Sequence, residues 1–376
     1  MKRFLALLMA LITAFSLTSC IPREPKIPTE SPSQETEIPE IIEEAVPEEI
    51  EINAGVFWYD FSDIFLSGVR EALNNHLAAL GIEFTNYDAE KTQSTQNDQI
   101  DTAIANGANL LIVNIVDTAA IDAAQAICDK AKDAEIPVIF FNREVDDKAI
   151  NSYENACFVG TRAAEAGEVQ GTMAGKYIVE NYDEIDLNGD GYISYIMMRG
   201  EIGSSGESEA RVIFPVKFCN AELASAGKPN LIYYDPNNFD LYQPANWSRT
   251  LAFELMETAL STNPMDGDAP IEVVFANNDD AALGCIDALQ TIGWNTGEGT
   301  SIPVFGIDCT ADAEAAIKAG KMTGTILQSY NGMAATIAAL VENVMNEKHV
   351  FDGAEYIFNV DEASAKIRVP YEMITK

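Results

Sequence analysis

The chain is 376 residues long, with 59 acidic side chains against 23 basic ones and a net charge of −36. That length is enough for two domains with sizeable cores, and a surface so acidic repels nucleic acid and anionic membranes. With only His76 and His349, neither beside a candidate nucleophile, histidine triads and histidine-rich zinc sites have little support.

Lys2 and Arg3 precede an apolar run, Phe4 to Leu17, that is too short to span a bilayer as a stable helix and predicts a secretion signal over residues 1–19. The sequence Leu17-Thr18-Ser19-Cys20 resembles the lipobox of bacterial lipoproteins. That resemblance implies cleavage before Cys20, lipidation of Cys20 and an extracytoplasmic, membrane-anchored chain; an ordinary signal with an incidental cysteine is the alternative. From Ile21 to about Ile52 the composition turns to Pro, Glu, Ser and Thr, with ten Glu against Arg23 and Lys26. Such a segment cannot bury enough surface to fold, so residues 20–50 read as a tether. The remaining five cysteines are odd in number and lack a CxxC pair, which predicts buried thiols rather than a disulfide framework.

Beyond the tether, apolar runs of strand length alternate with helical patterns, the order of βαβ units. Ile52 to Tyr59 predicts a strand, and Phe65, Val69, Leu73, Leu77 and Leu80 recur at helical spacing. Residues 110–114 and 137–142 predict buried strands flanking a helix over 119–133. Glu272 to Asn278 and Ile302-Pro303-Val304 repeat that order, which predicts an α/β fold of two similar doubly wound parallel-sheet lobes. Asn142, Asn278 and Asp308 fall at carboxyl ends of strands, where open parallel sheets bind ligands; simple strand-end exposure is the alternative for each. Gly200, Gly203 and Gly206 form neither a GxGxxG nor a Walker pattern, so nucleotide binding has almost no support.

Between the two repeats lies Asp186-Leu187-Asn188-Gly189-Asp190-Gly191-Tyr192-Ile193-Ser194. Oxygen side chains at alternating positions, a glycine at the sixth and a backbone carbonyl at Tyr192 are what a Ca2+ loop requires. Its twelfth position is Met197 instead of the usual bidentate Glu, so a last carboxylate must come from elsewhere. An Asx-rich turn without metal is the alternative.

From about Glu51 onward the chain resembles the bacterial periplasmic D-galactose/D-glucose-binding proteins, sugar receptors of ABC importers. The likeness is carried by Gln96-Asn97-Asp98-Gln99-Ile100-Asp101, Val138 to Asn142, Val273 to Asp279 and above all the Asp186 loop. It implies a type I fold with a three-segment hinge near Gly160-Thr161, Leu327 and Lys366. One lobe would then hold residues 51–160 plus 328–364, the other 161–327 plus 365–376. It implies sugar contacts from Asp63, Asn142, Arg211, Asn278 and Asp308, with Phe65 and Trp247 over the two sugar faces. For calcium it implies Asp186, Asn188, Asp190, the Tyr192 carbonyl, Ser194 and the remote Glu272. The partners implied are a monosaccharide, an ABC permease and a chemoreceptor, with a monomeric receptor and no catalysis.

Three departures fall on implied contacts. Glu207 stands nearest a family Asp within a segment that is one residue longer and has no His, Gln328 replaces an Asn, and Ser194 replaces a Gln ligand. A lost buried hydrogen bond costs about 1–3 kcal/mol, so these positions bear on which sugar is preferred. The competing readings are a receptor for a furanosyl signal or nucleoside, and a secreted glycosidase using Asp63 and Asp308 as its carboxylate pair.

Overall fold

A computed structural model of the chain describes residues 50–202, 206–237, 242–353, 359–361 and 364–375. The expected signal, Cys20 and all of the tether but residue 50 lie outside these residues, as do Gly203, Ser204 and Ser205.

The first lobe opens with β1 (Asn53–Trp58), α1 (Ile64–Ala79), β2 (Glu83–Asp88), α2 (Gln93–Ala105) and β3 (Leu110–Val113). It continues through α3 (Ile121–Asp133), β4 (Val138–Phe141), the single turn α4 (Asp147–Ile150) and β5 (Ala156–Gly160). The chain then builds the second lobe from α5 (Ala163–Glu180), α6 (Tyr182–Ile185), β6 (Ser194–Arg199), α7 (Gly206–Ser225), β7 (Ile232–Tyr233) and β8 (Gln243–Pro244). To these it adds α8 (Arg249–Thr262), β9 (Val273–Ala276), α9 (Asp279–Thr291), β10 (Val304–Phe305), α10 (Ala311–Lys318) and β11 (Gly324–Gln328). It returns to the first lobe for α11 (Tyr330–Met345), β12 (Asn359–Asp361) and β13 (Lys366–Arg368), and ends in the second with β14 (Tyr371–Thr375).

One sheet runs β12-β13-β5-β4-β3-β1-β2 and the other β14-β11-β10-β9-β6-β7, with β8 also on β6. Pairing is parallel except for β12 on β13 and β14 on β11. The inner strands β3, β4, β5 and β9 are apolar throughout because both faces are covered, whereas the edge strands β2 and β14 carry polar residues. Side chains alternate between two cores: Ile139 and Phe141 of β4 join one, Val138 and Phe140 the other. In the second sheet Val274 and Ala276 pack on one side of β9, Val273 and Phe275 on the other. Helix α1 follows from its spacing, since Val69, Leu73 and Leu77 are fully buried, each contributing roughly 1.5–3 kcal/mol. All five described cysteines are buried and free of disulfides.

The chain passes between lobes three times: after β5, after β11, and between β13 and β14. The last crossing falls at Val369-Pro370, not near Lys366, because β13 pairs parallel with β5 and so completes the first sheet. The expected boundary at 364/365 therefore moves about five residues toward the C-terminus, and Gln328, as the end of β11, stays with the second sheet. Close approach at one further contact fixes the second lobe. A Cβ on Gly171 of α5 would lie 2.3 Å from the Pro215 carbonyl oxygen, so only glycine lets α7, which carries Arg211, sit this near to α5.

Candidate functional site

Carboxyl ends of strands from both sheets open onto one cleft of about 350 Å³, toward the small end of the roughly 300–1,000 Å³ typical of small-molecule sites. All nine residues expected at a ligand site line it: Asp63, Phe65 and Asn142 from the first lobe, and Glu207, Arg211, Trp247, Asn278, Asp308 and Gln328 from the second.

On the first-lobe side, Asp63 caps α1, its Oδ1 accepting from Leu66 N at 2.8 Å. That bond anchors one carboxylate oxygen and fixes the side chain at the cleft wall. Burial raises its pKa, opposed by Leu66 N–H and Arg143. Phe65, at a core-like helical position, is only half-buried and spans both settings, packing on the core while lining the cleft. Asn142 follows β4 in the left-handed region at φ +60, where Asn is tolerated better than most residues. Its Oδ1 accepts from Asn114 Nδ2 at 3.1 Å.

Arg211 is the centre of the second-lobe side. It is 3% exposed, and its Nη2 donates to Glu207 Oε1 at 2.6 Å, Gln328 Oε1 at 2.7 Å and Tyr371 OH at 2.9 Å. Its Nη1 donates to Asn277 O at 2.9 Å and lies 3.6 Å from Asp308 Oδ1. Burial works against the charge, but Tyr371, Glu207 and Asp308 outweigh it and raise the pKa, so the guanidinium stays charged. Burial pushes Asp308 well above the ordinary carboxyl range, with Arg211 pulling the other way. Two buried donors on cleft residues, Gln328 Nε2 and Arg211 Nε, lack a hydrogen-bond partner among the described residues.

Trp247 is held in place by its surroundings. It and Asn246 have φ of +64 and +51, a strained pair just before α8. Asn278 Nδ2 donates to its carbonyl at 3.2 Å. A Cβ on Gly200 would sit 2.1 Å from the indole, so the ring lies against bare backbone there. The Arg211 guanidinium carbon is 5.8 Å from the ring centroid, within cation–π reach.

The sequence reading missed several cleft residues. Arg143 is buried, donates from Nη2 to Val116 O at 3.0 Å and stacks 4.1 Å from the Tyr59 ring centroid. Its place directly after Asn142 at a strand end was the available signal. Lys91, which pairs with Asp60 at 3.2 Å, and Asp280 had no comparable mark. Tyr59 also lines the cleft, and its hydroxyl donates across the lobes to Glu201 Oε1 at 2.5 Å.

The Asp186 loop lies apart from the cleft. Among the described residues no group of three or more His, Cys, Asp or Glu side chains is placed to hold a metal. Its oxygens serve the loop's own backbone: Asp186 accepts from Asp190 N and Gly191 N, Asn188 Oδ1 from Asp190 N, and Asp190 from Tyr192 N. The Ser194 hydroxyl donates to Pro270 O at 2.5 Å and accepts from Glu272 N at 3.1 Å. Glu272 takes Leu187 N and Ser194 N at 2.7 Å each, clamping both ends of the loop. The donor set is all oxygen, as a hard cation prefers, but the side chains are folded onto N–H groups as in Asx turns.

Residues 54–349 match the model of the periplasmic binding protein domain. The D-galactose/methyl-galactoside binding periplasmic protein of Haemophilus influenzae is 30% identical over 323 residues, 86% of this chain and 89% of that one. A putative rhizopine-binding protein of Rhizobium meliloti is 28% identical over 84% of this chain and 87% of its own. Among solved structures, an ABC transporter solute binding protein of Bacillus halodurans with bound myo-inositol superposes with a TM-score of 0.65 at 24% identity, covering 88% of this chain and 96% of that one.

Proposed function

Because the chain belongs to the periplasmic binding protein family, we propose that it captures a monosaccharide outside the cytoplasm and delivers it to the membrane permease of an ABC importer. Galactose- or glucose-like sugars are our first reading of the ligand. The observation that carries it is the cleft's pairing of chemistries. Carboxylates, amides and Arg211 suit hydroxyls on a sugar rim, while Phe65 and Trp247 suit its C–H faces.

The ligand closes two lobes hinged at the three crossings. We read the site as one that holds rather than cleaves: Asp308 is engaged by Arg211, and Asp63 by the first turn of α1. The relatives matched are named as binding proteins. The test is calorimetric titration with D-galactose, D-glucose, D-ribose and myo-inositol. Heat of binding for a hexose is expected; silence from all four rejects the reading, and turnover of an aryl glycoside would favour the enzyme.

One observation favours a structural Ca2+ in the Asp186 loop. Glu272 is 1% exposed, burial and nearby Asp186 raise its pKa, and no lysine or arginine pairs with it among the described residues. A cation would relieve that charge. We also propose anchoring through lipidated Cys20, which metabolic labelling with a fatty acid, lost in a Cys20→Ala variant, would test.

A further inference from the structure

Tyr371 opens β14, is buried, and does not line the cleft. Its hydroxyl lies where the three lobe crossings meet. It accepts from Arg211 Nη2 at 2.9 Å and lies 2.7 Å from Thr161 Oγ1. Thr161 begins the first crossing. Gln328, which shares the Nη2 of Arg211, ends β11 at the second. Tyr371 itself follows Val369-Pro370 of the third, and that segment is tied back to the first, with Val369 N donating to Gly160 O at 2.7 Å and Arg368 Nη1 to Thr161 O at 2.9 Å. One guanidinium on the cleft wall is therefore bonded, directly or through one phenol, to all three hinge segments.

The chemistry fixes the direction of this chain of bonds. A guanidinium only donates, so the phenol oxygen must accept from Arg211, which leaves its own proton for Thr161. Burial raises the phenol pKa, outweighing Arg211, so the hydroxyl is kept as a neutral donor. Phenylalanine would fill the same space, so the ring alone does not account for the hydroxyl's three-way position.

We propose that Tyr371 is a positioning residue that couples the cleft to the hinge, acting through Arg211 and Thr161 so that engaging the guanidinium and rotating the lobes become one event. The proposal rests on the ligand-binding reading above. A tyrosine that only fills space would leave affinity unchanged on loss of its hydroxyl.

The experiment uses the full chain as wild type, Tyr371→Phe, Thr161→Val and the double variant. Affinity is measured for D-galactose, D-glucose, D-ribose and myo-inositol, and solution X-ray scattering is recorded without ligand and with the tightest of the four. Each single variant should bind roughly tenfold more weakly with the order of sugars unchanged. The double variant should lose no more than Tyr371→Phe alone, because that change already removes the bond Thr161→Val deletes. Wild-type affinity in Tyr371→Phe, or losses that add in the double variant, overturns the proposal. If none of the four sugars binds wild type, the functional reading fails by itself. The hinge claim is then decided by ligand-free scattering, which must differ between wild type and Tyr371→Phe. Should Tyr371→Phe not fold, Thr161→Val, which removes the phenol–threonine bond and leaves the one to Arg211, decides it alone.

Discussion

The Tyr59 hydroxyl donates to Glu201 Oε1 at 2.5 Å, from the end of β1 in one lobe to the segment after β6 in the other. Burial and Glu201 both raise the phenol pKa, which keeps it a donor. A hydrogen bond to a charged group is worth about 1.5–3 kcal/mol, and this one joins the two lobes directly. Tyr59→Phe keeps the ring beneath Arg143 and removes the bond. Sugar release should quicken roughly tenfold with little change in association, read by stopped-flow fluorescence; an unaltered release rate would show that the contact contributes nothing to closure.

Trp247 and Gly200 form a second testable pair. Trp247→Ala should weaken sugar binding by about 2 kcal/mol while leaving the ligand-free melting temperature nearly unchanged, because the ring is half-buried at the cleft. Gly200→Ala should also weaken binding, since its methyl would push into the indole. Titration calorimetry on both variants checks this, and equal affinity in Gly200→Ala would remove the backbone floor from the account.

Stability should depend on Asp279 near neutral pH. This carboxylate is fully buried, accepts from Thr310 N at 2.7 Å and Thr325 Oγ1 at 2.5 Å, and burial pushes its pKa up to about 7. The folded state thus binds the proton more tightly than the unfolded chain does. Its contribution is complete below pH about 4 and is lost as pH rises to about 7. Asp279→Asn cannot ionise. Denaturant titrations at pH 4.5 and 7.5 should show wild type losing more stability across that interval than the variant, whereas parallel losses would place the buried proton elsewhere.

If a cation occupies the Asp186 loop, chelation should lower the melting temperature of wild type by several degrees, as expected for a ligand that binds only the folded state. Asp190→Ala should melt lower and no longer respond to chelator. A variant that still responds would locate the chelator's target outside this loop.

Much of the architecture could be read before any coordinates. Residues 110–113 and 138–141 are strands, as short continuous apolar runs rich in β-branched and aromatic residues suit a sheet covered on both faces. The cleft side chains were legible for a related reason: Asn142, Asn278 and Asp308 interrupt such runs with polarity at their carboxyl ends. What stayed hidden depends on contacts far apart in sequence. β13 is three residues long, and only its pairing with β5, some two hundred positions earlier, assigns it to the first sheet. Arg143 and Tyr371 carry no local pattern either, since their roles arise from a stacked ring in one case and a meeting of distant segments in the other. The Asp186 motif specified its turns, but the same oxygens satisfy backbone N–H groups, which spacing alone does not reveal.

Helix α11 and strand β13 complete a lobe that begins at residue 53, and they are drawn from beyond residue 329. A ribosome or a secretion channel releasing this chain from its N-terminus cannot finish that lobe until β13 is out. The early segment must wait, with α1 lacking the helix that covers it and β5 lacking its neighbour. If the chain is exported unfolded, that delay is useful, since premature folding would jam the passage. It also means that neither half can be produced alone by simple truncation; a single-lobe version would need its late elements grafted on by a new linker.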